Sequence, residues 1–182
     1  MSARASVRHK VLDSAAELFY YQGYAATGIQ QITDNAKVAK TSLYEHFRSK
    51  EDLCVAYLSK TREEWIGNLT DYCDVSNGSV EWTYRAFDFL AISGREEHFR
   101  GCSFLNILGE VPMDSEKIIN EVSRTKAELR ALFDKILSAS SNKDLSDAIY
   151  VLFEGTMVEI QVQKDVWPVD ASKLILDKLF QN

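Results

Sequence analysis

"GYAATGIQQITDNAKVAKTSLYEHFRSKEDL", residues 23–53, holds two short runs of helical spacing separated by a three-residue break. Thr27 followed three residues later by Gln30 has the form of a capping box, which predicts a helix opening at Gly28 or Ile29. Ile29, Ile32 and Ala36 would face inward from it. After the break "AKV", residues 36–38, a second helix is predicted from about Ala39 to His46. Leu43 and Phe47 share one face of it, with Val38 beside them, while Lys40, Thr41, Tyr44 and Glu45 fall largely on the other side. Two short helices joined in this way can place the second one in a DNA major groove. An ordinary helical hairpin is the competing reading.

Two positions in this stretch are locally unfavourable. Lys37 stands in the turn where glycine is easiest, and a left-handed lysine costs about 1 kcal/mol relative to glycine. Ala39 replaces a capping serine at a further cost of about 1 kcal/mol. Both fit within a domain stability of about 5–15 kcal/mol.

The outward side chains have the chemistry of a nucleic-acid reader. Lys40 can pair with phosphate, Thr41 and Ser42 can hydrogen-bond, and Tyr44 can reach a phosphate or a thymine methyl. Thr27 and the free amides opening its helix form a candidate phosphate site, with Gln30 on the same first turn. Lys37 adds positive charge close to the expected path of the DNA backbone. Lys50 follows the second helix as a candidate backbone clamp. "SKED", residues 49–52, is a further capping pattern that opens a long helix from about Lys50 to Tyr72.

Outward from this stretch the chain reads as all-α. An amphipathic helix over about 5–22 is closed by Gly23, and a turn is expected at 74–79 in "DVSNGSVEW". Further helices are expected over about 80–97, through "RGCSFLNILGEVP" as far as Pro112, along "SEKIINEVSRTKAELRALFDKILSA", over 145–163, and from Pro168 to near Phe180. That makes about nine, with a break at "SSNKD". The segment 145–163 is apolar on two faces, with Ile149, Leu152 and Ile160 on one and Val151, Val158 and Val162 on the other. One face suits its own core and one a partner.

The net charge is −6, but it is unevenly divided. Residues 1–50 hold seven Lys/Arg against four acids, a net +3, which leaves −9 for the remainder. A basic head on an acidic body suits phosphate contact at one end only. No apolar run reaches the roughly 18 residues a membrane helix needs, so a cytoplasmic protein is expected. Cys54, Cys73 and Cys102 lack paired metal spacing, so neither a disulfide framework nor a metal site is expected. No catalytic grouping or glycine-rich phosphate loop stands out, so no cofactor and no enzyme activity are expected.

The stretch 23–53 closely resembles the N-terminal DNA-binding region of TetR-family transcriptional regulators. The matching residues are Gly23, Tyr24, Thr27, Ile32, Val38, Leu43, Tyr44, His46, Phe47, Ser49, Lys50, Glu51 and Leu53. "RGCSFLNILGEV" also resembles a Gly-Cys-x-x-x-Asn segment of the LmrA/YxaF-like branch. The resemblance implies a helix-turn-helix, three-helix head over residues 1–50 and a helical ligand-binding and dimerisation body over 51–182. It further implies a homodimer built through the last two long helices, with two heads on a palindromic double-stranded DNA operator and a small-molecule effector in the body. His46 takes a phosphate-contact role from the motif. Trp65, Trp82, Phe87 and Phe104 become candidates for an apolar effector pocket, against the commoner use of aromatics as plain core. Two alternatives remain: a thiol-redox regulator using Cys102, and a helical ligand-binding or scaffold protein whose head has lost DNA affinity. Glu45 on the presumed DNA face, Lys37 and Ala39 favour the second of these.

Overall fold

The computed structural model describes residues 3–138 and 143–181. Among these residues there are nine α-helices and no strand. They are α1 (Ala3–Tyr21), α2 (Ile29–Ala36), α3 (Lys40–Tyr44), α4 (Lys50–Cys73), α5 (Ser79–Glu96), α6 (Ser103–Leu108), α7 (Glu116–Ser138), α8 (Ser146–Gln163) and α9 (Trp167–Phe180). Short 3-10 turns at Val75–Asn77 and Lys143–Leu145 occupy the expected breaks, the second of which begins outside the described residues. Pro168 sits in the first turn of α9, where its missing N–H costs nothing. Ser49 Oγ accepts the Asp52 N–H at 3.0 Å and caps α4, as the "SKED" pattern predicts.

The chain forms two compact units, and residue 50 is not the boundary between them. One is Met1–Arg62 with Ser103–Arg124; the other is Glu63–Cys102 with Thr125–Asn182. The helices α4 and α7 each start in the first unit and end in the second.

The first unit is held by the apolar stripe of α1. Val11, Ala15, Ile32, Leu43, Leu53 and Leu58 are sealed from solvent, and Phe19 packs on Tyr24 and Tyr57 with ring centroids 5.3 and 5.8 Å away. Ser14 Oγ donates to the Ile32 carbonyl at 3.0 Å and ties α1 to α2. In the same unit Arg62 and Glu121, both buried, pair at 3.7 Å.

The second unit has an aromatic core. Phe153 meets Trp65, Phe87 and Phe133 at 6.2, 5.5 and 5.0 Å, and Phe133 also meets Trp82 edge-on at 5.2 Å. The hydroxyls of Thr156 and Ser172 share a buried hydrogen bond of 2.7 Å that joins α8 to α9. Tyr84 and Asp88 of α5 bond to Asp177 and Lys173 of α9. The inner face of α8 is Ile149, Phe153, Thr156 and Ile160, while Leu152 is only half-buried, one position off the expected stripe. Its second apolar face is left open: Val151 is 66% exposed and Val162 65%, and Leu174 on α9 is 64% exposed.

Candidate nucleic-acid interface

The link between α2 and α3 has the backbone that the sequence implies. Lys37 is left-handed at φ 55°, ψ 47°, and its N–H reaches the Asp34 carbonyl at 3.2 Å while Val38 N–H reaches Thr33 at 3.1 Å. These bonds satisfy the last carbonyls of α2. Ala39 precedes α3 with extended φ −70°, ψ 145° and offers no side-chain cap. Replacing Lys37 by glycine is expected to stabilise the fold by about 1 kcal/mol and to flatten the dependence of log affinity for DNA on log salt by about one unit. Salt titrations of a fluorescent duplex read the slope directly. An unchanged slope would leave Lys37 as a tolerated turn residue and nothing more.

Buried Leu43 and Phe47 anchor α3 from below. Lys40, Thr41, Tyr44 and Glu45 line a shallow concavity on its outer side, with all four side chains exposed. Ser42 and His46 are half-buried, and Lys37 and Gln30 are exposed, with the Gln30 amide donating to Asp34 Oδ1 at 2.8 Å. The helix is shorter than the sequence implies and ends at Tyr44, with a turn through residues 45–46.

Two candidate contacts are corrected by the structure. Thr27 is buried, and its hydroxyl donates inward to the Gly23 carbonyl at 2.7 Å and the Leu18 carbonyl at 3.3 Å. No capping box forms: Gly28 is the N-cap of α2 and makes no side-chain cap bond. Thr27 therefore locks the α1–α2 turn and presents nothing to phosphate. Lys50 is likewise turned inward. Its Nζ donates to the Tyr24 carbonyl at 2.6 Å and lies 4.1 Å from the centre of the Tyr24 ring. Burial holds its pKa below the usual lysine value. It fastens the turn to α4 and is not a free backbone clamp.

Other charged residues surround the head and have no signature in the linear motif. Arg8, His46, Phe47, Arg48, Asp52, Ala56 and Lys117 line a depression of about 400 Å³. Lys117 binds Asp52 at 2.6 Å, and this hydrogen bond holds the Asp52 carboxyl below its ordinary pKa. Arg8 lies over the Phe47 ring at 5.2 Å. Arg48 is exposed beside them and is the added candidate for phosphate contact. Glu110, just beyond α6, accepts the Ala25 N–H at 2.8 Å. A Cβ on Gly23, whose φ is +100°, would lie 2.7 Å from the same carboxylate. The positive φ at this turn is what favours glycine there. Glu110→Ala is expected to cost about 1 kcal/mol and to weaken duplex binding severalfold by loosening this turn, with Glu110→Gln recovering most of both because its amide oxygen still accepts. Thermal melts and anisotropy titrations of both variants provide the check.

The aromatic candidates divide. Trp82 and Phe87 are sealed in the core of the second unit, where their ring contacts are with Phe133 and Phe153. That is the core reading. The Trp82 indole N–H has no acceptor among the described residues. Trp65 in the same unit is half-buried against Phe89 and Phe153. Phe104 is buried in the first unit and does not belong to that cluster.

The model of the bacterial regulatory proteins, tetR family, matches residues 11–57, which run from α1 through the helix-turn-helix into α4. Over this segment the chain is similar to the TetR family. The repressor DhaR of Mycobacterium sp. (strain GP1) is 24% identical over 180 residues, covering 92% of this chain and 89% of that one. The regulator LmrA of Bacillus subtilis is 24% identical over 169 residues, covering 89% and 90%. A TetR regulator from Chloroflexus aurantiacus superposes with TM-score 0.82 at 20% identity, over 100% of this chain and 98% of that one, and so shares its fold.

The matched segment and these named regulators support DNA-binding transcriptional regulation. The matched segment contains every residue of the exposed α3 face, Lys40, Thr41, Tyr44 and Glu45. It also contains the inward-turned Thr27 and Lys50, so two motif positions brace the helix-turn-helix from inside. Among the described residues no helix is long and apolar enough to cross a membrane, and no group of His, Cys, Asp and Glu could hold a metal ion.

Proposed function

We propose that the chain is a homodimeric, cytoplasmic one-component repressor that holds a palindromic operator until a small, largely apolar effector releases it. The observation that carries this reading is the hydrophobically anchored α3 with Lys40, Thr41 and Tyr44 exposed, within residues 1–50 of net charge +3. Lys40, Lys37 and Arg48 neutralise phosphate, Thr41, Ser42 and Tyr44 meet base edges or sugar-phosphate, and His46 and Gln30 flank them. Glu45 on this face discourages non-specific contact with the polyanion.

The dimer rests on the open apolar faces of α8 and α9, where Val151, Val162, Trp167 and Leu174 are exposed. Pairing these faces between two copies makes a four-helix interface and gives the two-fold symmetry a palindrome needs. Trp65, half-buried beside the aromatic cluster, would contact the apolar part of an effector. Repression is favoured by the relatives, among them DhaR and the negative regulator IcaR of Staphylococcus aureus.

Sedimentation of the free protein and of its complex with duplex tests this reading. A dimer in both states is expected. Val151→Glu with Leu174→Glu should give monomers that keep their helicity and lose specific binding. Monomers of the parent protein, or dimers that persist in the double variant, would remove the proposed interface.

A further inference from the structure

Residues 1–50 hold four acids, and three of them are engaged within the chain. Asp13 binds Lys60 Nζ at 2.8 Å, Asp34 accepts from the Gln30 amide at 2.8 Å, and Glu17 accepts from the Asn35 amide at 3.4 Å. The fourth, Glu45, is exposed, and its carboxylate takes no hydrogen bond and forms no ion pair among the described residues. The side chains of Lys40, Thr41 and Tyr44, which share its concavity, are uncommitted in the same way. An unpaired carboxylate is ordinary where water covers it. It is out of place on the face that the operator reading turns toward a polyanion.

The backbone keeps this carboxylate on the outer face. Glu45 closes α3 in a helical conformation, φ −66° and ψ −24°, and its N–H reaches the Thr41 carbonyl at 3.1 Å. Its side chain therefore stands beside that of Thr41, one turn away. Leu43 and Phe47, two residues to either side, are buried and hold the inner face, so Glu45 stays outside. At about 1.5 Å per residue, the path from Lys40 to Glu45 rises roughly 7.5 Å. That is about two steps of a duplex whose bases lie about 3.4 Å apart. A helix this short brings both of its ends over the same few base pairs.

We propose that Glu45 is a specificity-determining residue that selects a C·G pair at one position in each operator half-site, an assignment that rests on the operator-binding reading above. An ionised carboxylate only accepts hydrogen bonds. In the major groove cytosine offers its N4 amino group as a donor, with no acceptor beside it on the same base. Guanine presents N7 and O6, both acceptors, and thymine presents O4 and a methyl group, so neither gives the carboxylate a partner. Adenine donates from N6 but carries an acceptor at N7, which sets a lone pair against the second carboxylate oxygen. Where no donor is present, the phosphates repel Glu45 and nothing offsets the repulsion. One side chain thus favours one base and works against the others, discriminating through an unfavourable contact as well as a favourable one.

The test runs selection from a random duplex library with the parent, Glu45→Gln and Glu45→Ala. Anisotropy titrations follow on the parent's selected duplex, with each base pair of both half-sites replaced in turn. The parent is expected to show one C·G pair per half-site whose replacement lowers affinity by about 5-fold or more for each half-site. Glu45→Gln, whose amide both donates and accepts, is expected to shift that position from C to A. Glu45→Ala is expected to lose the preference there, keep the preferences elsewhere, and bind unrelated duplexes more tightly. Because the replaced side chain is exposed, both variants are expected to melt as the parent does. Identical preferences at every position in all three proteins would overturn the assignment. So would a gain in Glu45→Ala that is uniform across duplexes with the parent's motif intact, since Glu45 would then only repel. A parent that enriches no sequence removes the operator reading itself, and the assignment with it, before any variant is compared.

Discussion

Replacing Lys40 and Tyr44 together by alanine is expected to lower specific DNA affinity by at least about 100-fold while leaving the fold intact. Each lost contact at a base edge or phosphate is worth about 1–3 kcal/mol, and a dimer loses it twice. Both side chains are exposed, Tyr44 at 44%, and neither contributes to the buried anchor beneath α3. Stability is therefore expected to change by no more than about 0.5 kcal/mol. Anisotropy titrations against a selected duplex, paired with denaturant melts, separate the two effects. Full affinity in the double variant would move the reading surface away from α3.

The largest loss of stability is expected at Phe153. This ring is fully enclosed and touches Trp65, Phe87 and Phe133 at once, so it is the hub of the second unit's core. Phe153→Ala is expected to cost about 3–5 kcal/mol, because the cavity left between three rigid rings closes poorly. That is a large fraction of the roughly 5–15 kcal/mol that holds a domain together. Phe153→Leu, which keeps most of the volume, should cost far less. Urea melts followed by far-ultraviolet dichroism distinguish these outcomes, and a loss below about 1 kcal/mol for the alanine variant would show that the core repacks.

Much of the reading head was legible because local rules decide it. The apolar spacing of Ile32, Leu43 and Phe47 requires one buried face, and the short break between the helices leaves Lys37 no choice but a left-handed turn. Thr27 and Lys50 were misread for the same physical reason. A capping pattern and an exposed-looking lysine specify what a side chain can do, whereas its actual partner comes from elsewhere. Thr27 finds the carbonyls of Leu18 and Gly23 at the end of α1, and Lys50 finds the Tyr24 carbonyl 26 residues upstream. The division into units was also hidden, since α4 and α7 run unbroken from one to the other and periodicity has no term for such a passage. In the aromatic body, spacing could not separate sealed Trp82 and Phe87 from half-buried Trp65. Glu110 on Ala25 and Lys126 on Cys102 span 85 and 24 residues, so only tertiary packing brings them together.

The most direct test of the proposal that α3 reads an operator as one half of a symmetric pair is selection from a random duplex library with the purified protein. Enrichment of a palindrome with half-sites about one helical turn or a multiple apart, bound in a salt-sensitive way and lost in the Lys40→Ala, Tyr44→Ala double variant, is the expected result. Enrichment of no two-fold symmetric sequence, or the same enrichment in the double variant, would contradict it.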